Sequence, residues 1–309
     1  MKTLDILAIG EPMMEFAEVE RGAERLYLPG FGGDVSNAAV AAARQGARTA
    51  MFTGLGRDAF GTAFEKLWDE EGIDRESVVV REGGRTGVYF ITYGDEGHVF
   101  TYARAGSAAS LVTPDELPYD RIAASRILHA SGISQAISQS CADAVFAAMH
   151  HARANDTIVS YDTNLRLRLW PLDRARAVIN GAAALADIAR PGLDDAQQLT
   201  GLDRPEEICD FYLRLGCGIV ALTLGREGTM VATADRRELI PGRTVEAVDA
   251  TGAGDMFDGA FLAEWLLHRD PFRAAAYANA AAALSTLGRG AVAPMPRRAD
   301  VEAFLASGA

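Results

Sequence analysis

The stretch VDATGAGD, Val248 to Asp255, sets Asp249 and Asp255 on either side of a run of small residues. An apolar segment with helical spacing, MFDGAFLAEWLLH, follows at once. A helix that begins at such a point offers unpaired N–H groups and a partial positive charge. Gly252, Ala253 and Gly254 let another group approach that backbone closely. Helix N-termini bind phosphate for these reasons, so the run predicts an anion cradle. Asp255 does not suit a phosphate ligand, because a carboxylate repels phosphate. Taken alone, it reads equally well as a structural charge on a first helical turn. Phosphoryl transfer to an alcohol gives it a use, since that reaction needs charge stabilised on the transferring group and the hydroxyl proton accepted. Amides beside an aspartate supply both. The helix end is expected to depress the aspartate's pKa and keep it ionised. A weak base suffices when the proton leaves late in a loose transition state.

The elements that must position this stretch alternate along the chain. DILAIG, TAMFTGLG, RILHASG, TIVSYD and the continuous apolar GIVALTLG read as strands, the last of a kind buried on both faces. SNAAVAAARQG reads as a helix capped by Ser36 or Asn37 and ended by Gly46. DAFGTAFEKLWDEEG, SQSCADAVFAAMHHARAN and LDRARAVINGAAAL also read as helices. TMVATADRRELI reads as a hairpin. Two Ala-rich helices, at about 255–268 and 271–287, follow it, and a short helix closes the chain. This order predicts an α/β fold with a mostly parallel sheet covered by helices on both faces. In such sheets ligands bind beyond the carboxyl ends of the strands. Residues 12–31 and 85–104 break the rhythm, alternating apolar and polar with turn residues between. They read as antiparallel strands, expected to form a small separate β lid; ordinary surface hairpins are the alternative.

The chain's 309 residues, 49% of them hydrophobic, can bury a large core as a single domain spanning 1–309. No apolar run reaches the ~18–20 residues of a membrane span. MKTLDILAIG lacks the long apolar core of a signal peptide. Cys141, Cys209 and Cys217 lack paired metal spacing, so they read as reduced thiols and the expected location is cytoplasmic. The net charge of −12 excludes a nucleic-acid surface, which needs clustered Lys and Arg. It also repels anions at long range, so an anionic ligand must be held by local arginines and backbone N–H groups. His150 and His151 are adjacent on a helix and do not share a face, so they read as surface. Trp68 and Trp265 read as core.

DATGAGD with its trailing MFDGAFL resembles the signature of the ribokinase-like family of sugar kinases. GFGGDVSNAAVAAARQGARTAMFTGLGRDAFG (30–61) is similar to that family's N-terminal glycine motif. TLGREG (223–228) is similar to its nucleotide-loop segment, and YANAAAALSTLGRGAVAPMP (277–296) to its adenine and cation region. The motifs occur in family order over nearly the whole chain. The resemblance implies a Rossmann-like α/β core with a β lid, ATP as donor, magnesium (Mg2+), and a monovalent cation (K+). By position it makes Asp255 the general base and Gly252, Ala253 and Gly254 the anion hole. It gives Asp249 and Thr251 to the monovalent cation, with backbone near Ser285, Gly288 and Gly290. It places Thr223, Gly225 and Gly228 at the nucleotide and Asn279 near adenine. The family often has Asn-x-x-Glu where magnesium is organised; here RPGLDDAQQLTG offers Gly192 and Asp195 instead. Position 250 is Ala where the family usually has a hydroxyl or proline.

The acceptor is read elsewhere. A sugar acid needs a cation at its carboxylate, ideally a planar arginine. Arg104 in TYARAGSAAS and Arg166 in YDTNLRLRLW stand where sheet and lid should meet. Both stretches resemble those of the 2-keto-3-deoxygluconate kinases, as do HASGIS (129–134) and GGD (32–34). The resemblance implies sugar-acid contacts from Gly33, Asp34, Asn37, Tyr89, Tyr102, Arg104 and Arg166, with Asn164 or Arg166 touching ATP instead. Thr101 stands where relatives often have a second tyrosine. The implied reaction is ATP-dependent phosphorylation of the terminal (O6) hydroxyl of 2-keto-3-deoxygluconate. A kinase of a neutral sugar such as fructose is the near alternative, and the C4-epimeric acid leaves no mark that separates it. A catalytically silent sugar sensor has no support while Asp255 and the small-residue hole are intact. A dinucleotide-dependent oxidoreductase is a distant alternative, because GLGRDAFG spaces its last glycine too far along for the fingerprint. Exposed lid edges need covering, which predicts a homo-oligomer built through the lid.

Overall fold

The computed structural model describes residues 2–21, 24–94 and 97–307. The turns expected inside the two lid segments, at 22–23 and 95–96, lie outside the described residues. The first third runs β1 (Leu4–Ile9), β2 (Met13–Arg21), β3 (Glu24–Gly32), α1 (Asp34–Arg44), β4 (Thr49–Phe52), β5 (Gly54–Gly56), α2 (Ala59–Glu70), β6 (Val79–Arg81), β7 (Gly87–Gly94) and β8 (Gly97–Ala103). The middle runs α3 (Tyr119–Ala124), β9 (Ser125–Ser131), α4 (Gly132–Ala136), α5 (Gln139–Ala154), β10 (Ile158–Asp162), α6 (Leu172–Ala183), β11 (Ile188–Arg190), α7 (Leu193–Thr200) and α8 (Pro205–Leu215). The chain ends with β12 (Ile219–Thr223), β13 (Gly228–Ala232), β14 (Arg237–Pro241), α9 (Ala253–His268), α10 (Pro271–Ser285) and α11 (Arg298–Ala306).

The main sheet has eight strands in the order β14-β13-β12-β11-β10-β9-β1-β4. Its pairs from β4 to β12 are parallel, and the β13–β14 hairpin adds an antiparallel edge. Successive residues of β1 serve opposite faces. Ile6 and Ala8 pack with α1, α9 and α10, while Leu7 and Ile9 pack with α5, α6 and α8. That two-sided burial is why these strands read as unbroken apolar runs. Cys141, Cys209 and Cys217 are free thiols inside the second face, and Trp68 and Trp265 belong to the first. Gly259 of α9 lets α1 approach closely, since a Cβ there would lie 2.4 Å from the Ala38 carbonyl oxygen. Among the described residues no helix is long and apolar enough to cross a membrane.

A second sheet of four strands has the order β3-β2-β7-β8. It is built from the two segments that broke the alternation. Each hairpin is antiparallel as expected, but β2 pairs with β7 in parallel. The reason is the shared exit. β2 continues from β1, and β7 follows β6, which runs parallel to β5 just beyond β4; both therefore leave the carboxyl edge of the main sheet in one direction.

The start of α1 differs from expectation. Its N-cap is Gly33, at φ 97°, and not Ser36 or Asn37. Those two side chains lie inside the helix and point to partners across the fold: the Ser36 hydroxyl accepts from Trp68 Nε1 at 3.2 Å, and Asn37 reaches Asp255. β11, α7 and α8 fall where the sequence pattern assigns no element. β11 has three residues and α7 eight, too few to display a period.

Candidate active site

A cavity of about 890 Å³ opens between the carboxyl ends of the main-sheet strands and the four-stranded sheet. The N-terminus of α9 forms part of its wall. Gly252 caps that helix at φ 77°, and a Cβ on it would lie 2.9 Å from Ala291 Cα. Only glycine adopts this conformation freely. Ala253 and Gly254 begin the helix, and Gly254 is exposed to the cavity. The helix start at Gly252 and Gly254 therefore borders the cavity.

Asp255 stands on the same turn and accepts a hydrogen bond from Asn37 Nδ2 at 2.8 Å. Its titration departs from expectation. Burial, then the charges of Asp34 and Asp258, push it up to about 7, against the pull of Asn37 and Arg190. Desolvation comes first among the causes that raise it, with the neighbouring carboxylates adding to it. Part of the residue still faces the cavity, so it can meet a hydroxyl there.

Asp34, on the first turn of α1, accepts from the Ser131 hydroxyl and from Asn164 Nδ2 at 3.1 Å. Its Oδ1 is buried without a partner. Asn164 holds a positive φ of 27°, and its N–H donates to Asp162 Oδ1 at 3.1 Å. From the second sheet, Tyr89 donates to buried Glu15, and its ring lies 5.8 Å from that of Tyr102. Arg104 is buried against Glu11, donating from Nε at 2.8 Å and also from Nη2. Ser107 bonds the other oxygen of the same carboxylate at 2.6 Å. Burial nevertheless pushes Glu11 upward. Arg166 is half exposed and faces Asp195 Oδ2 at 3.9 Å. Gly33, Asp34, Asn37, Tyr89, Tyr102, Arg104 and Arg166 thus all line one cavity with Asp255.

The residues expected at the nucleotide gather beyond this wall. Thr223 ends β12, and its N–H donates to Pro191 O at 3.0 Å. Gly225 and Gly228 bound the turn into β13. The Asn279 amide spans Thr229, Ile240 and Pro241, tying α10 to β13 and β14; its hydrogen bonds go to protein partners. In the cation region, Asp249 Oδ1 accepts from the Thr251 N–H and hydroxyl at 2.9 and 2.7 Å, and Oδ2 accepts from Gly290 N at 2.9 Å. Gly288 and Ser285 belong to the segment that leads into this turn. The Ser285 hydroxyl donates to Ala282 O at 2.8 Å. Carboxylate and carbonyl oxygens of this kind suit a hard cation. Asp195, raised by burial, accepts from Leu165 N at 2.9 Å and lines the cavity. One carboxylate with substrate phosphates is a donor set that fits magnesium. Among the described residues no group of three or more His, Cys, Asp or Glu could hold a metal by itself. His151 packs edge-on to Tyr119 at 4.8 Å on the surface.

Residues not foreseen include Glu11, Glu15, Arg190 and Asp258. Asp258 carried a signal, since a carboxylate inside the apolar run MFDGAFL is rarely buried without a partner. Arg190 carried none, because β11 itself was not legible.

Residues 3–298 match the family described as pfkB family carbohydrate kinase. The chain is 33% identical to the 2-dehydro-3-deoxygluconokinase of Bacillus subtilis (strain 168), over 98% of this chain and 96% of that protein. It is 32% identical to fructokinase-1 of Zea mays, over 96% of each. Among solved structures, the fructokinase of Vibrio cholerae O395 with fructose, ADP and a calcium ion superposes with a TM-score of 0.87 at 27% identity. That match covers 99% of this chain and 100% of the other. A double mutant of that fructokinase, holding fructose, ADP and a potassium ion, superposes at a TM-score of 0.88 with 28% identity, covering 98% of this chain and 99% of the other. The ribokinase-like α/β expectation is borne out.

Proposed function

Because the chain belongs to the pfkB family of carbohydrate kinases, we propose that it transfers the γ-phosphoryl group of ATP to the O6 hydroxyl of 2-keto-3-deoxygluconate, yielding the 6-phosphate and ADP. The observation that carries this reading is the meeting of Asp255 and the α9 N-terminus with Arg104 and Arg166 in one cavity. Asp255 accepts the hydroxyl proton, and Asn37 orients its carboxylate. The amides at Gly252, Ala253 and Gly254 stabilise charge on the moving phosphoryl group. Asp34, held by Ser131 and Asn164, accepts from sugar hydroxyls, and Gly33, Tyr89 and Tyr102 shape the sugar's berth. Arg104 and Arg166 orient the substrate carboxylate. Thr223, Gly225, Gly228 and Asn279 form the nucleotide side. Asp195 would hold magnesium; Asp249 and Thr251, with backbone at Ser285, Gly288 and Gly290, would hold a potassium ion. When bound, the metal neutralises charge on the phosphates. Residues 1–309 act as one kinase domain, and the four-stranded sheet serves as its lid.

A second reading, a neutral sugar such as fructose as acceptor, is favoured by the ion pairs that both arginines already make, with Glu11 and with Asp195. ADP release with 2-keto-3-deoxygluconate, fructose and ribose in parallel separates the readings. Turnover of fructose alone overturns the sugar-acid assignment. Arg104→Lys sharpens the test, since it keeps a charge beside Glu11 but removes the planar fork. The KM for the keto acid is expected to rise about tenfold, the value of one charged hydrogen bond, with the KM for ATP unmoved. An unchanged KM for the acid removes Arg104 from carboxylate recognition.

The lid's edge strand β3 exposes Leu26, Tyr27 and Leu28. Such an edge is covered by pairing in natural proteins, and a second copy of this chain is the occupant proposed here. Light scattering after size exclusion should give a mass above that of one chain at micromolar concentration; a monomer would count against the pairing.

A further inference from the structure

Beneath the α9 N-terminus lies a charged cluster that the proposed chemistry leaves unused. Arg190 ends β11, Asp162 ends β10, and Asp258 stands on α9 one turn beyond Gly254. Asp162 accepts from Nη2. Asp258 Oδ2 accepts from Nη2 at 2.8 Å, and its Oδ1 forms an ion pair with Nε. All three residues are buried, with Arg190 8% exposed at the cavity floor. Nη1 is the guanidinium atom nearest a Cβ placed on Gly254, at 3.6 Å. The guanidinium thus joins two strand ends to α9 one turn past its start, beneath the proposed anion cradle. Taking three charges out of water is costly even when they are paired, and apolar side chains of similar volume would tie the same elements together.

We propose that Arg190 is a positioning residue of the phosphoryl-transfer site. By clamping Asp162 and Asp258 it sets where the Ala253 and Gly254 amides and the Asp255 carboxylate stand, and it opposes the negative charges that crowd Asp255. The inference rests on the kinase reading above.

The charge census around Asp255 supports the second half. Asp34 and Asn37 face it from α1, Asp258 from its own helix and Arg190 from β11. Asp162 from β10 and Tyr89 from the second sheet also sense its charge. Buried His129 on β9 faces Arg190, Asp258 and Asp34, and burial favours its neutral form. Arg190 is therefore the positive member of a largely acidic group. Without it, Asp255 holds its proton more tightly and fewer molecules carry a free base at neutral pH.

The test compares wild type with Arg190→Gln, Arg190→Lys and the Arg190→Gln/Asp258→Asn double variant. Two readouts are used: steady-state kinetics across pH, and carbon-13 NMR titration of the Asp255 carboxyl. Arg190→Gln should lose roughly a hundredfold in kcat at pH 7, as small misplacements of reacting groups do, with the sugar KM within about twofold. Its Asp255 midpoint should move up by about one pH unit. Arg190→Lys should return the midpoint but only part of kcat, because an ammonium cannot bridge both carboxylates. The double variant should also return the midpoint, since one cation and one anion are removed together, while kcat stays low. An unmoved midpoint, a loss in KM rather than kcat, or wild-type kcat in the double variant overturns the proposal. The midpoint criterion applies to Arg190→Gln; if that variant does not fold, the other two decide by kcat, and wild-type kcat in either overturns the proposal. The NMR titration needs no turnover, so a wild type without kinase activity sinks the kinase reading separately from the clamp.

Discussion

Asp255→Asn is expected to lower kcat by roughly a thousandfold, within the range of about 10²–10⁴ that a positioned general base supplies. The KM values for sugar and ATP should change by less than about threefold. An amide keeps the shape of the side chain and can still accept the hydrogen bond that Asn37 donates at 2.8 Å, but it cannot take a proton from a hydroxyl. The wild-type pH profile makes the same point independently. Burial, Asp34 and Asp258 push Asp255 up to about 7, and only its ionised form is a base. kcat/KM should therefore be level above pH 7 and fall about tenfold per unit below it. An Asn variant within tenfold of wild type, or a wild-type profile flat down to pH 5, would remove Asp255 from the proton-transfer step.

Gly33→Ala is expected to damage stability and sugar binding together. Gly33 caps α1 at φ 97° and ψ 108°, a region that L side chains rarely enter. A Cβ there would lie 2.2 Å from the Glu11 carbonyl oxygen and 2.8 Å from Pro12 Cα. Backbone cannot yield as a side-chain tip can. Strain of about 1–3 kcal/mol, with a similar overpacking term, should lower Tm by on the order of 5–10 °C. The displaced elements carry the site: α1 bears Asp34 and Asn37, and Glu11 holds Arg104. The sugar KM should rise at least tenfold at temperatures where the variant is folded, the scale of one lost charged hydrogen bond. Gly254→Ala is the contrast. A Cβ there meets only Arg190, at 3.6 Å, so the fold should survive while kcat falls because a methyl group enters the cradle. Thermal unfolding and steady-state kinetics on both variants check this. A Gly33→Ala protein with wild-type Tm and KM would show that the turn tolerates a side chain.

Much of this molecule is legible in one dimension. The parallel core follows from apolar runs separated by helical spacing, because buried strands and amphipathic helices leave different periods in a chain. The second sheet follows from two segments whose alternation has period two. The expectation of an anion cradle rests on three small residues at a helix start, because room for close backbone approach is a local property of Gly252 and Gly254. Tertiary structure decided the rest. α1 is capped by Gly33, and the Glu11 carbonyl just beyond β1 fills the space a Cβ would need there. β2 and β7 became parallel neighbours because both leave one edge of the main sheet. Asp255 was expected to be held ionised by its helix, and is instead pushed up to about 7. A helix end is written in adjacent residues, whereas desolvation and the fields of Asp34 and Asp258 depend on what the fold stacks around the carboxylate. Arg190 shows the same limit most plainly. Its partners lie 28 and 68 residues away, and no local pattern records a charge that only long-range packing can pair.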